Sequence, residues 1–243
     1  MKLDKPKKLS KLTIILLILL TVSVLIAIVL AFIIINDIYN QNSQRSPSII
    51  NRNKSDNSVS WDKPIIYLYP EETLEVEVKL GNPEYLSCTY PKYENGWKVI
   101  ANPDGNLLDK NTGRNLYALY WEGKNIQKQI DISEGFCIKG EDTAKFLEEK
   151  LEILGLTERE AEEFIIYWLP KMENNKYNYI RFETKEEQNS SMPLEVTPKP
   201  DSIIRIMMDW KALDEKIEIK EQELITPERK GFTVVEWGGT ELK

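Results

Sequence analysis

The feature that most constrains this chain is a run of 24 residues, 12–35, with no charge, no proline and no glycine. At about 1.5 Å per residue a helix of that length spans about 36 Å, against a hydrocarbon core of roughly 30 Å. A single segment in lipid satisfies its own backbone only as a helix. A cleaved secretory signal has a shorter apolar region, about 7–15 residues, and ends in a small-residue site. Here the run closes on Phe32-Ile33-Ile34-Ile35-Asn36, and no cysteine follows closely for lipid attachment. The expectation is a transmembrane signal anchor over 12–35.

Flanking charge gives its orientation. Lys2, Lys5, Lys7, Lys8 and Lys11 precede the run against one acid, Asp4, while the far side opens with Asp37. The positive-inside rule makes 1–11 a cytoplasmic tail and places the rest outside the cytoplasm, as a single-pass protein of the cell membrane. Residues 36–60 are rich in Asn, Ser and Gln, with too little apolar surface to offset ordering entropy. They read as a flexible stalk with a reach of about 25–30 Å.

Residues 61–243 hold all six tryptophans and ten of the eleven tyrosines, which is the composition of one globular, extracytoplasmic domain. Their net charge is −12. That acidity argues against a nucleic-acid partner, which needs a basic face. The chain has no histidine, which removes a Ser-His-Asp triad, a Cys-His pair and His-ligated zinc. Two cysteines are too few for a zinc finger.

Strands are expected first. Leu74, Val76, Val78 and Leu80 alternate with Glu75, Glu77 and Lys79, the period of a half-buried strand. The apolar run 65–69, closed by Pro70, and residues 97–101 and 116–121 read as further strands. Residues 141–154 carry helical spacing. Thr157-Glu158-Arg159-Glu160 is a capping box that opens a second helix, with Pro170 expected to limit it. Strands return at 177–183, 194–197, 203–210, 216–219 and 232–237, and Gly238-Gly239 reads as a strand end. The expected fold is α+β, antiparallel sheet with a central αα-hairpin; an immunoglobulin-like sandwich with a helical insertion is the alternative.

Candidate chemistry centres on carboxylates beside aromatics. Trp121-Glu122 and Glu236-Trp237 each place a Glu next to a Trp, with Tyr117 and Tyr120 near the first pair. Aromatic faces stack on sugars and carboxylates accept from hydroxyls, so Tyr120, Trp121, Glu122, Glu236 and Trp237 are the candidate ligand residues. Glu122 and Glu236 are also a candidate acid and base or nucleophile of a glycan hydrolase. The alternative is ordinary structure, with Trp in the core and Glu on the surface. Cys88 and Cys137 read as two buried thiols or as a disulfide, which an extracytoplasmic site permits. Asp109-Lys110-Asn111-Thr112-Gly113 resembles part of a calcium loop without its closing glutamate, and a polar hairpin tip accounts for it. No cofactor is expected.

The segment Lys63-Pro64-Ile65-Ile66-Tyr67-Leu68-Tyr69-Pro70-Glu71 resembles the opening of a family of uncharacterised, mostly bacterial envelope proteins. The resemblance continues through Cys88-Thr89-Tyr90-Pro91, Tyr120-Trp121-Glu122-Gly123, Gly135-Phe136-Cys137 and Tyr167-Trp168-Leu169-Pro170. It closes on Val234-Val235-Glu236-Trp237-Gly238-Gly239. It implies one folded unit over 61–243 and carries no activity. The expectation for function is therefore a membrane-tethered, non-catalytic domain that binds envelope glycan or a protein partner. A carboxylate-dependent glycan hydrolase and a structural subunit of an envelope complex are the alternatives.

Overall fold

The alternation at 74–80 becomes a strand with Val76, Val78 and Leu80 buried and Glu75 in solvent. This is a computed structural model, and it describes residues 58–128 and 130–243. The expected tail, membrane span and nearly all of the stalk lie outside the described residues. The described residues form one compact unit.

The strands are β1 (Ser58–Tyr69), β2 (Leu74–Leu80), β3 (Leu86–Tyr90), β4 (Trp97–Ala101), β5 (Leu107–Asp109), β6 (Asn115–Leu116) and β7 (Leu119–Gln127). After β8 (Glu134–Lys139) come helices α1 (Thr143–Ile153) and α2 (Glu158–Met172). Then follow β9 (Tyr177–Phe182), α3 (Lys185–Ser191), β10 (Leu194–Thr197), β11 (Ser202–Leu213), β12 (Lys220–Glu221) and β13 (Thr233–Glu241). Eight strands form one sheet in the order β12-β8-β9-β11-β13-β1-β7-β3, and five form another in the order β10-β2-β4-β5-β6.

The two sheets and the helices make three layers. On one face of the large sheet, Ile66, Leu68, Leu119, Trp121 and Val234 pack with Val76, Val78, Trp97 and Val99 of the small sheet. On the other face, Ile65, Ile206, Met208, Val235 and Trp237 pack with Phe146, Leu151, Phe164 and Trp168 of the helices. Central strand β13 is covered on both sides, and eight of its nine residues are buried. Glu236, the one charged group buried there, is paired within the protein, by Trp121 and Arg205.

The expected α+β antiparallel arrangement is overturned. The described residues are mostly β, 44% strand and 21% helix, in two sheets with three helices. The large sheet is mixed, because β11 runs parallel to β13 and β12 parallel to β8. That central parallel pair also separates it from an immunoglobulin-like sandwich, whose sheets are antiparallel. Strands β3 and β8 lack clean alternation, so the sequence signal for them is weak.

Three local expectations also change. Pro170 lies inside α2 and does not end it. The carbonyl it leaves without a partner belongs to Ile166, which is 66% exposed, so water can satisfy it. Gly238 and Gly239 lie within β13 rather than after it. Residues 216–219 are not a strand; the short β12 begins at Lys220.

Candidate functional site

Helix α2 forms a wall beside β1. Its capping box fixes the start: Thr157 Oγ1 accepts from the Glu160 backbone N–H, and Glu160 Oε2 from that of Thr157. From there Arg159, Glu163, Tyr167 and Lys171 recur every four residues along one edge, about 18 Å of helix. Tyr69, Tyr67 and Lys63 of β1 meet that edge. The Tyr67 hydroxyl donates to Glu163 Oε2 at 2.7 Å. The Lys63 ammonium lies 5.8 Å from the Tyr167 ring centre and 5.4 Å from that of Tyr120.

A cleft of about 310 Å³ opens where α2 begins. Tyr67, Tyr69 and Tyr117 line it with Asp104, Arg159 and Arg229. Tyr67 and Tyr69 are stacked, 6.2 Å between centres and 6° between planes. Tyr117 lies 6.4 Å from Tyr67 with half its surface exposed. Period two does this: residues 67 and 69 of one strand must share a face. Arg229 reaches in from the segment before β13. It donates through two nitrogens to Glu160, both at 2.9 Å, and its guanidinium lies 5.1 Å from the Tyr69 ring centre.

The cleft's ionisation states follow from these contacts. Burial, then Glu163, pushes the Tyr67 hydroxyl far up; burial, then Glu160, does the same to Tyr69. Both remain neutral hydroxyls at physiological pH. Burial opposes the charge on Glu160, but Arg229 and the Thr157 N–H outweigh it and hold the carboxyl below its ordinary range.

The five residues expected to contact ligand divide between the two faces of the large sheet. Trp121 and Glu236 do meet, through a 2.9 Å hydrogen bond from Trp121 Nε1 to Glu236 Oε1. They meet inside the core between the sheets, both fully buried, where Arg205 Nε donates to Glu236 Oε2 at 2.5 Å. Trp237 is also fully buried, on the opposite face under α2, 5.3 Å from Phe164. These three are structural, a correction that burial forces. Tyr120 and Glu122 point to the helix side and remain partly exposed. Glu122 and Glu236 thus face opposite sides of one sheet and cannot flank one glycosidic bond. Sequence reasoning missed Tyr67, Tyr69, Arg159 and Arg229; the Tyr-x-Tyr pattern on a strand was the available signal.

Cys88 is exposed on edge strand β3 and Cys137 half-buried on β8, both free. Six strand spacings separate β3 from β8, about 29 Å, whereas bridged Cα atoms lie within about 7 Å. An intramolecular disulfide is excluded by this geometry. Asp109 is buried and spends its carboxylate on Thr112 Oγ1 at 2.5 Å and the Thr112 N–H at 3.1 Å, which closes the β5–β6 turn. Among the described residues no group of three or more acidic or cysteine side chains is placed to hold a metal.

No family model matches the chain, and no solved structure matches it. An uncharacterised protein from Butyrivibrio fibrisolvens, named for its position in the bglA 3′ region, is 38% identical over 64 residues, 25% of this chain. The chain spans 65% of the length of that relative.

Proposed function

We propose that this is a non-catalytic carbohydrate-binding domain, held at the outer face of a cell membrane by the apolar run at 12–35. The tyrosine cleft is its sugar site. The observation that carries this reading is the half-exposed Tyr117 ring beside the Tyr67–Tyr69 stack, with a polar rim. A sugar ring offers an apolar C–H face and a border of hydroxyls. It therefore needs an aromatic platform and a few convergent donors and acceptors.

The rim supplies both. Arg159 is 79% exposed, with one long contact of 3.4 Å to Glu163, so its remaining N–H groups are free to donate. The exposed Asp104 carboxylate accepts from Asn106 and has lone pairs to spare. Binding is favoured over hydrolysis because two carboxylates are needed to flank a glycosidic bond, and Asp104 has no free partner: Glu160 is engaged by Arg229, and Glu163 beside the cleft by the Tyr67 hydroxyl. The apolar run and its basic flank support the tethered placement.

Co-sedimentation of the full chain, in detergent, with insoluble cell-wall polysaccharide tests the reading. Wild-type protein is expected in the pellet, and Tyr117→Ala in the supernatant with an unchanged melting temperature. Equal retention of both proteins rules the cleft out as the site.

A further inference from the structure

We infer that the sugar site has a second station around Tyr120 and takes a linear, neutral polysaccharide along its length. This rests on the carbohydrate reading above and adds the class of ligand. The core under the helices includes no residue of β7 or β3, the last two strands of the large sheet on that side, and on that face Tyr120 and Glu122 of β7 stay partly exposed. Ile65 lies directly opposite Tyr120, and Tyr120 directly opposite Tyr90, so the three share one face in one row. Tyr90 is 51% exposed. The uncovered part of the face is therefore tyrosine-rich from Tyr117 to the sheet edge.

Lys63 joins this second station to the wall. Its ammonium lies over both Tyr120 and Tyr167, and its backbone holds φ at +61°, a left-handed conformation uncommon for a residue with a side chain. Strained positions persist where surrounding contacts over-determine them, and they cluster at ligand sites. Along β1, Ile65, which lies opposite Tyr120, and Tyr69 of the cleft are four residues apart, about 13 Å of strand. One monosaccharide cannot reach from the cleft to Tyr120, but an oligomer can. The shelf is open at the sheet edge, where Tyr90 stands, so a long chain can pass out there.

The charges point to a neutral polymer. The carboxylates of Asp62, Glu122 and Glu241 are interspersed here with the ammonium groups of Lys63, Lys124 and Lys171. A surface with both signs interspersed gives hydroxyls donors and acceptors and gives a polyanion no net attraction.

The test is calorimetric binding by the full chain, in detergent. The ligands are β-1,4-linked glucose oligosaccharides and β-1,4-linked N-acetylglucosamine oligosaccharides of two to eight units, with the soluble polymers. In the series that binds, affinity should rise at least tenfold from two units to six. Tyr120→Ala should remove that gain and leave the two-unit affinity unchanged. Lys63→Met, which keeps the stem, should remove most of it, whereas Tyr117→Ala weakens every length. Equal affinity at all lengths, or full retention of the gain in both Tyr120→Ala and Lys63→Met, overturns the second station while the cleft still binds sugar. No binding of any oligosaccharide or polymer overturns the carbohydrate reading and the second station together.

Discussion

Trp121 and Glu236, 115 residues apart in the chain, are joined by a 2.9 Å hydrogen bond inside the core between the two sheets. The indole nitrogen takes one carboxylate oxygen and Arg205 Nε the other. Arg205 then spends its remaining nitrogens on Asn189 Oδ1 and the Met192 carbonyl, both at 3.0 Å. One buried carboxylate thus joins β7, β11 and β13, and Arg205 carries the tie on to α3 and the residue that follows it. Removing one partner of such a pair leaves an uncompensated charge in a dry site. Arg205→Met should cost about 3–5 kcal/mol, and the double variant Arg205→Met/Glu236→Leu should recover a large part of it. Urea denaturation of the three proteins measures both. A double variant no more stable than Arg205→Met contradicts the account.

A second buried cluster makes stability depend on pH. Lys128 Nζ lies 2.5 Å from both Glu183 Oε1 and Asp209 Oδ1, and all three side chains are almost fully buried. Arg181, paired with Glu187 at 2.9 Å, flanks them. Burial, then the Asp209 charge, pushes Glu183 up to about 7, although Lys128 opposes the shift; burial raises Asp209 in the same sense. Between the ordinary glutamate value and about 7 the folded state holds a proton that the unfolded state releases. Unfolding free energy should therefore fall as pH rises from 5 to 8, by about 3 kcal/mol, and level off above. In Glu183→Gln most of that slope should vanish. Stability that is flat or rising across this window in the native protein contradicts the assignment.

These two clusters show where the sequence was legible and where it was not. Period-two alternation marked β2, and the capping box marked the start of α2, because both signals are local. The same capping signature at Thr184 and Glu187 opens α3. Sheet order is non-local, and nothing in the sequence announces that β11 and β13 lie side by side and parallel. The Trp-Glu pairs drew attention for a sound reason, since both are conspicuous polar and aromatic groups. Alternation along β13 sends Glu236 and Trp237 to opposite faces, and both faces are covered. Tyr117, by contrast, stands at a bend ahead of β7 with half its surface exposed.

The cysteines offer a direct check on the sheet order. With β3 and β8 at opposite sides of the large sheet, each thiol should be free and should react on its own timescale. Cys88 should be alkylated at once in the native protein, and Cys137 more slowly, because its sulfur is half-buried and accepts the Ile217 N–H at 3.4 Å. Mass spectrometry should find two alkylated thiols after unfolding without reductant. A single species two mass units lighter and inert to alkylation would mean that the two strands are not placed as described.

The packing of α2 on the sheet depends on the absence of a side chain at Gly239. A Cβ there would lie 2.6 Å from the Met208 carbonyl oxygen and 2.8 Å from the Trp168 ring. The first is strand backbone and the second a fully buried indole, so neither can yield cheaply. Gly239→Ala should push Trp168, and α2 with it, away from β13, at a cost of about 1–3 kcal/mol. Gly113 is the comparison. It has φ at +69° and nothing within 4 Å, so Gly113→Ala should cost only the backbone strain, about 1 kcal/mol. On the carbohydrate reading proposed above, the variants also differ in binding. Since α2 is the wall of the tyrosine cleft, Gly239→Ala should weaken sugar binding where the protein remains folded, while Gly113→Ala leaves it unchanged. Denaturation and binding measured on the same samples separate the two effects, and equal loss of stability in both variants would show that α2 does not need the close approach at Gly239.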